Sequence, residues 1–162
     1  MDRPAPLLPA PVIALWTRGV RALEALQPLA LLGARLYVAK VFFLSGLTKI
    51  RDWDTTLALF ADEYKVPLLP PAVAAVLGTA GELVLPVLLL LGLGGRFAAL
   101  GLSVVNVVAV LSLADIPEPA LQLHLFWGSL LAGLALWGPG PWALERWVAP
   151  RLGFGADARG RR

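Results

Sequence analysis

The sequence predicts an all-α integral membrane protein, a four-helix bundle with short amphipathic surface helices. Three observations predict it. Hydrophobic residues make up 58% of the 162-residue chain and charged residues only 15%, with a mean hydropathy of +0.74. That is more apolar surface than a soluble domain of this size can bury. Apolar runs near 28–50, 71–93, 96–114 and 120–138 are each about 18–23 residues long, enough to cross ~30 Å of hydrocarbon as a helix. Backbone groups in lipid must bond within their own segment, so these runs are read as helices.

Composition narrows the chemistry. There is no Cys, which excludes disulfides, iron–sulfur clusters and thiol catalysis, and one His, which excludes a multi-His metal centre or bis-His haem within this chain. The net charge of +3 raises the question of nucleic acid. The basic residues flank the spans, however, so the expected partner is the lipid bilayer and not nucleic acid.

Residues 1–27 read as a Pro-rich tail followed by an amphipathic helix. Val12, Trp16, Val20 and Leu23 recur at helical spacing with Arg18, Arg21 and Glu24 elsewhere, the pattern of an in-plane surface helix. A cleaved signal peptide fits less well, because the apolar stretch is short and Arg18 and Arg21 interrupt it. Residues 28–138 form the four-span domain. Between spans one and two, Asp52 or Asp54 caps a short helix whose Trp53, Leu57, Phe60, Ala61 and Tyr64 share a face. Pro67, Pro70 and Pro71 end that segment, and "GLGG" at 92–95 and "DIPEP" at 115–119 are the remaining turns. Ala74 and Gly78 form a small-xxx-small pair that favours close helix contact. Residues 139–162 are an interfacial helix anchored by Trp142 and Trp147, then a polar tail.

With four spans, both termini and the 92–95 turn share one side. That side holds Arg3, Arg18, Arg21, Arg96, Arg146, Arg151, Arg159, Arg161 and Arg162; the other holds Lys49, Arg51 and Lys65. The positive-inside rule then places both termini in the cytoplasm.

Charged residues inside the runs are the candidate site. Centring span one at residue 39 puts Lys40 about 1.5 Å from the midplane and Arg35 about 6 Å to the cytoplasmic side. Glu82 and Asn106 fall at the middles of spans two and three. A charge at midplane costs roughly 3 kcal/mol on insertion scales, so such residues face the bundle interior and pair. Arg35, Lys40 or both are the expected partners of Glu82. Arg35, Phe42, Gly46 and Lys49 share one stripe, and Lys40 lies off it. Pro86 leaves the Glu82 carbonyl without its helical donor. Two readings of Arg35, Lys40, Lys49, Glu82 and Asn106 stand. They form an ion pair that fixes helix register, or they line a pocket for a quinone head group, a small anion or a proton path. His124, with Asp115, Glu118 or Glu63, is a weak candidate for an external metal site; no other metal site is expected.

These residues also resemble a known family. "RLYVAKVFFLSGLTKIRDWD", "LFADEYKVPLLPP", "GELVLPVLLLLGLGGRFAALGL" and the late "GPG" are similar to DoxX membrane proteins over about residues 30–148. The "EYKVPLLPP" version resembles the subgroup encoded beside DUF692-type, multinuclear-iron peptide-modifying enzymes. The acidic position after "GPG" falls here in "WALE", as Glu145, where the family usually has "SLD". The resemblance implies a four-helix protein of the bacterial inner membrane, with Arg35, Lys49 and Glu82 matching the family's polar signature and Lys40 matching the subgroup.

Three functions compete. The first is an accessory, non-enzymatic membrane subunit in redox or metal-stress handling, working with a protein partner or a quinone. It is favoured because the chain has no self-contained redox cofactor motif. The second is the membrane subunit of a quinone-linked oxidoreductase. The third is a small-solute or peptide transporter, which needs a homo-oligomer because no inverted repeat is seen.

Overall fold

The computed structural model describes residues 9–152. The chain folds as α1 (Ala10–Arg51), α2 (Trp53–Asp62), α3 (Pro71–Leu91), α4 (Gly95–Ser112), α5 (Glu118–Trp137) and α6 (Glu145–Val148), the last followed by one 3-10 turn at Ala149–Leu152. No strand occurs among the described residues. Helices α1, α3, α4 and α5 are each long and apolar enough to cross a membrane. Of the Pro-rich tail expected to be disordered over residues 1–11, residues 1–8 lie outside the described residues, as does the polar tail after Gly155, and Ala10 and Pro11 already belong to α1.

The bundle is built by adjacent antiparallel pairs: α1 on α3, α3 on α4, and α4 on α5. Its core joins Val38 and Phe42 of α1, Leu89 of α3, Ala98, Ala99 and Leu102 of α4, and Leu131 and Leu134 of α5. Small residues set the close approaches. A Cβ added at Gly46 would lie 2.8 Å from Leu83 Cγ and 3.1 Å from Glu82 Cβ. Gly46 therefore sets the register of α1 against α3.

Two differences from expectation concern α1. First, the surface helix at 12–27 is not a separate element, because α1 runs unbroken through Pro28. A proline inside a helix removes one hydrogen bond, here to the Glu24 carbonyl, without forcing the helix to end. At 42 residues, α1 is about 63 Å long, twice the hydrocarbon thickness. Its first half extends past the other helices, and Leu15, Trp16, Leu23 and Leu26 are exposed there. Second, the register differs. Gly46, not residue 39, is level with Glu82.

Helix α2 packs across the start of α3. Asp52 caps it, accepting from Thr55 N at 3.0 Å and from Thr55 Oγ1 at 2.7 Å. These bonds hold the exposed Asp52 carboxyl below the usual carboxylate range, the side-chain bond contributing most. Phe60 joins Ala74 and Ala75 in a second small core, with Trp53, Leu57 and Tyr64 against it. The small stripe on α3 thus receives α2, since the Cβ position of Gly78 is 3.6 Å from Phe60. Ala61 is exposed and lies off this face, while Thr56 is buried and donates to the Lys49 and Asp52 carbonyls.

At the opposite end, α3 stops at Gly92, whose φ of +68° is left-handed. Its Cβ would meet Ala143 Cβ at 2.5 Å and an Arg35 nitrogen at 2.8 Å, so both conformation and space require glycine. Trp142 and Trp147 are exposed beyond it.

Candidate functional site

A cavity of about 490 Å³ lies at the α2 end of the bundle. All five long or capping helices α1 to α5 contribute to its wall, with the 64–69 connection. The wall is mostly apolar, with Phe42 and Val41 from α1, Leu77 from α3 and Val104 and Val108 from α4. Phe42 and Trp127 meet edge to face at 6.0 Å.

One polar pole of the cavity sits between α1 and α3. Lys49 Nζ is 2.6 Å from Glu82 Oε2, the one ion pair among the described residues. Lys49 also donates to Ser45 Oγ at 3.0 Å, and Ser45 in turn donates to Glu82 Oε1 at 3.2 Å. Both carboxylate oxygens are therefore held. Serine and lysine are one helical turn apart, so α1 presents them together to the carboxylate of α3. The ammonium has three protons, two of which are committed here, leaving one for a ligand. The pair is buried but not sealed, since the Lys49 and Glu82 side chains keep 21% and 10% of their exposure.

The second polar pole is on α4 and α5. Asn106 Nδ2 donates to the His124 carbonyl at 3.0 Å, and Asn106 Oδ1 is 2.8 Å from His124 Nδ1. His124 lines the cavity, and its ring packs edge to face on Trp127 at 4.9 Å. Tyr64 lines the cavity from outside the spans. Burial, reinforced by the charges of Glu63 and Glu82, pushes its phenol above its ordinary pKa.

The expected site residues separate into three groups. Lys49 and Glu82 line the cavity together. Asn106 is buried but stands behind His124 and is not part of the wall, which corrects its expected position. Arg35 and Lys40 do not reach Glu82, and this corrects the expected pairing. Glu82 takes Lys49 instead, because α1 is shifted by seven residues relative to a span centred at 39.

Arg35 is 1% exposed and binds carbonyls, not a carboxylate. Its Nε donates to Leu89 O and its NH1 to Pro139 O, both at 2.9 Å, and its NH2 donates to Leu90 O. A helix end leaves four carbonyls without helical donors. In α3 the Leu88 carbonyl accepts from Leu93 N, Leu89 and Leu90 from Arg35, and Leu91 from Leu144 N. Arg35 is thus the side-chain cap of α3. Glu145 has a parallel role at the next helix, with Oε2 accepting from Gly95 N at 2.9 Å. The acidic position after "GPG" therefore caps α4 in this chain.

Lys40 is exposed, on the outer face of α1 with Leu36, Tyr37 and Leu44. It is six residues before Gly46, about 9 Å along the axis from the level of Glu82. From there its stem can carry the ammonium to the boundary, so it needs no interior partner. His124 is not part of an external acidic cluster, because it faces the cavity and bonds Asn106. Among the described residues no group of three His, Cys, Asp or Glu side chains is placed to hold a metal. The role of His124 as a cavity wall was missed in the sequence. The available signal was its spacing from Trp127, one turn on.

No curated protein matches the chain, and no solved structure does. A family model, that of DoxX, matches residues 30–115. Those residues carry the Ser45–Lys49–Glu82 cluster, the Arg35 cap and the turn at Gly92, and they are more than half of the sequence. The chain belongs to the DoxX family.

Proposed function

We propose that the chain is an accessory membrane subunit that holds a lipid-soluble quinone for a redox or metal-stress system, together with a protein partner that carries the electron-transfer chemistry. The observation that carries this reading is the cavity itself. Its volume of about 490 Å³ falls in the range of small-molecule sites, and it combines apolar walls with a few convergent polar groups. The residues present fit a quinone head group. Aromatic rings of Phe42 and Trp127 offer flat apolar contact, the remaining Lys49 proton is a donor for a ring oxygen, and the Val41 and Val104 surfaces suit an isoprenoid tail. Buried ionisable groups inside a membrane bundle are functional candidates by default.

The rest of the assignment belongs to the same proposal. The subunit sits in a bacterial inner membrane with both termini cytoplasmic, supported by the Arg-rich side that holds Arg18, Arg21, Arg96 and Arg146. "EYKVPLLPP" supports membership of the subgroup encoded beside DUF692-type enzymes, and a homo-oligomer is compatible with the exposed apolar faces.

The test is purification from membranes in mild detergent with mass spectrometry of co-eluting lipids, repeated on Lys49→Met. Quinone should co-purify with the natural chain and be depleted in the variant. Absence of quinone, together with failure of a short-chain quinone analogue to bind, sinks the reading.

A further inference from the structure

The amide of Asn106 decides where the proton of His124 sits. Its Nδ2 donates to the His124 carbonyl, and its Oδ1 faces His124 Nδ1 at 2.8 Å. Turning the amide round would set its oxygen against that carbonyl, acceptor against acceptor. The NH2 therefore belongs at the carbonyl and the oxygen at the ring. An acceptor facing Nδ1 requires a proton on Nδ1. The neutral imidazole then keeps its lone pair on Nε2. Nε2 has no hydrogen-bond partner among the described residues, while the ring lines the cavity.

The two polar poles lie at similar depth, with Glu82 and Asn106 about 3 Å apart along the bundle axis. A Cβ at Gly81 would contact Val105 at 3.1 Å; the next residue on α3 is Glu82, which holds Lys49, and the next on α4 is Asn106, which holds His124. The cavity thus offers a donor on the α1/α3 side and an acceptor on the α5 side.

We propose that the Asn106–His124 couple makes this cavity selective for a hydroxyl-bearing head group, so that it takes a quinol in preference to the quinone. The proposal rests on the quinone reading above. A quinol accepts from Lys49 through one oxygen and donates its other O–H to His124 Nε2. A quinone has only carbonyl oxygens. It satisfies Lys49 but sets a lone pair against the lone pair of Nε2, which leaves a buried acceptor without a donor. His124 determines the selectivity, and Asn106 is a positioning residue that acts through it.

The full chain in lipid nanodiscs tests this in two ways. The sequence has a single His, so a ¹⁵N-histidine spectrum reads this one ring. At neutral pH the proton is expected on Nδ1; a proton on Nε2 overturns the proposal. Short-chain ubiquinol and ubiquinone, each held in its redox state, are then titrated by tryptophan quenching. The quinol should bind about tenfold more tightly or better, the size expected for one satisfied against one unsatisfied buried group. His124→Phe keeps a ring against Trp127 and removes the acceptor, so the preference should fall to about one while the fold survives. A preference unchanged in His124→Phe overturns the proposal. Equal affinities in the natural chain overturn it and leave the quinone reading standing, whereas binding of neither form overturns both.

Discussion

Removing one member of the Lys49–Glu82 pair should cost far more than removing both. Glu82→Leu leaves the Lys49 ammonium beside Ser45 Oγ, without a counter-ion at the middle of the bundle. Breaking a fully buried pair costs about 3–5 kcal/mol. Here the Lys49 side chain keeps 21% of its exposure, so some hydration remains and the expected cost is about 2–4 kcal/mol. Lys49→Met strands the carboxylate, which keeps only the Ser45 hydroxyl, and should cost a similar amount. The double variant removes both charges and leaves apolar groups facing an apolar wall. It should cost only about 1 kcal/mol, giving a coupling energy of about 3 kcal/mol or more. Asp62→Leu, at the exposed end of α2, is the control and should change stability by no more than ~0.5 kcal/mol. The assay is equilibrium unfolding in detergent of the natural chain, the two single variants, the double and the control. Single effects that add to within about 0.5 kcal/mol in the double variant, or a Glu82→Leu no worse than Asp62→Leu, would refute the coupled pair.

Arg35→Leu should lower stability by at least ~3 kcal/mol, because the Leu90 and Pro139 carbonyls lose their donor in a buried setting; Arg35→Lys should rescue little, since one ammonium cannot span the fork, and a neutral Arg35→Leu in thermal melts would contradict the capping role. Gly92→Ala should be among the most damaging small substitutions, combining left-handed strain with overlap on Ala143, and a melting temperature within a degree of the natural chain would contradict it. The lowered pKa of Asp52 gives a signed pH dependence: its contribution is present above the unfolded value of ~3.9 and lost as pH falls through the lowered folded value. The stability difference between the natural chain and Asp52→Ala should therefore shrink in acid, and a difference that grows there would reverse the sign. Asp62→Cys should react with an impermeant maleimide in intact spheroplasts and Ala158→Cys should not; labelling of the second would reverse the proposed orientation.

The fold was legible because membrane spans obey a length rule that four apolar runs satisfy. Residue depth was less legible. Centring span one on its apolar limits gave residue 39, but a helix is positioned by what it packs against, not by where its hydrophobicity starts. Gly46, the small residue that admits Leu83, sets the true register, and it already stood on the stripe with Arg35, Phe42 and Lys49. Glu82 falls near the middle of α3 in sequence and structure alike, because α3 is bounded by Pro71 and Gly92, which punctuate the chain at both ends. Lys40 misled because charge in an apolar run looks alike whether it points inward or outward; only the neighbours decide. The Asn106–His124 contact joins residues 18 apart across a turn, and no local pattern announces it.

The carbonyl cluster around Arg35 also bears on how the protein is made. Synthesis delivers α1 first, while the acceptors of its guanidinium lie 54 and 104 residues further along the chain, at Leu89 and Pro139. At ~5–20 residues per second, the second acceptor leaves the ribosome roughly 5–20 s after Arg35 does. Until α3 arrives the guanidinium has no protein acceptor and is held at the wet membrane boundary, and until Pro139 arrives its NH1 stays unpaired. The latch therefore closes from the far end, and a chain that stops before residue 139 lacks the last of its acceptors.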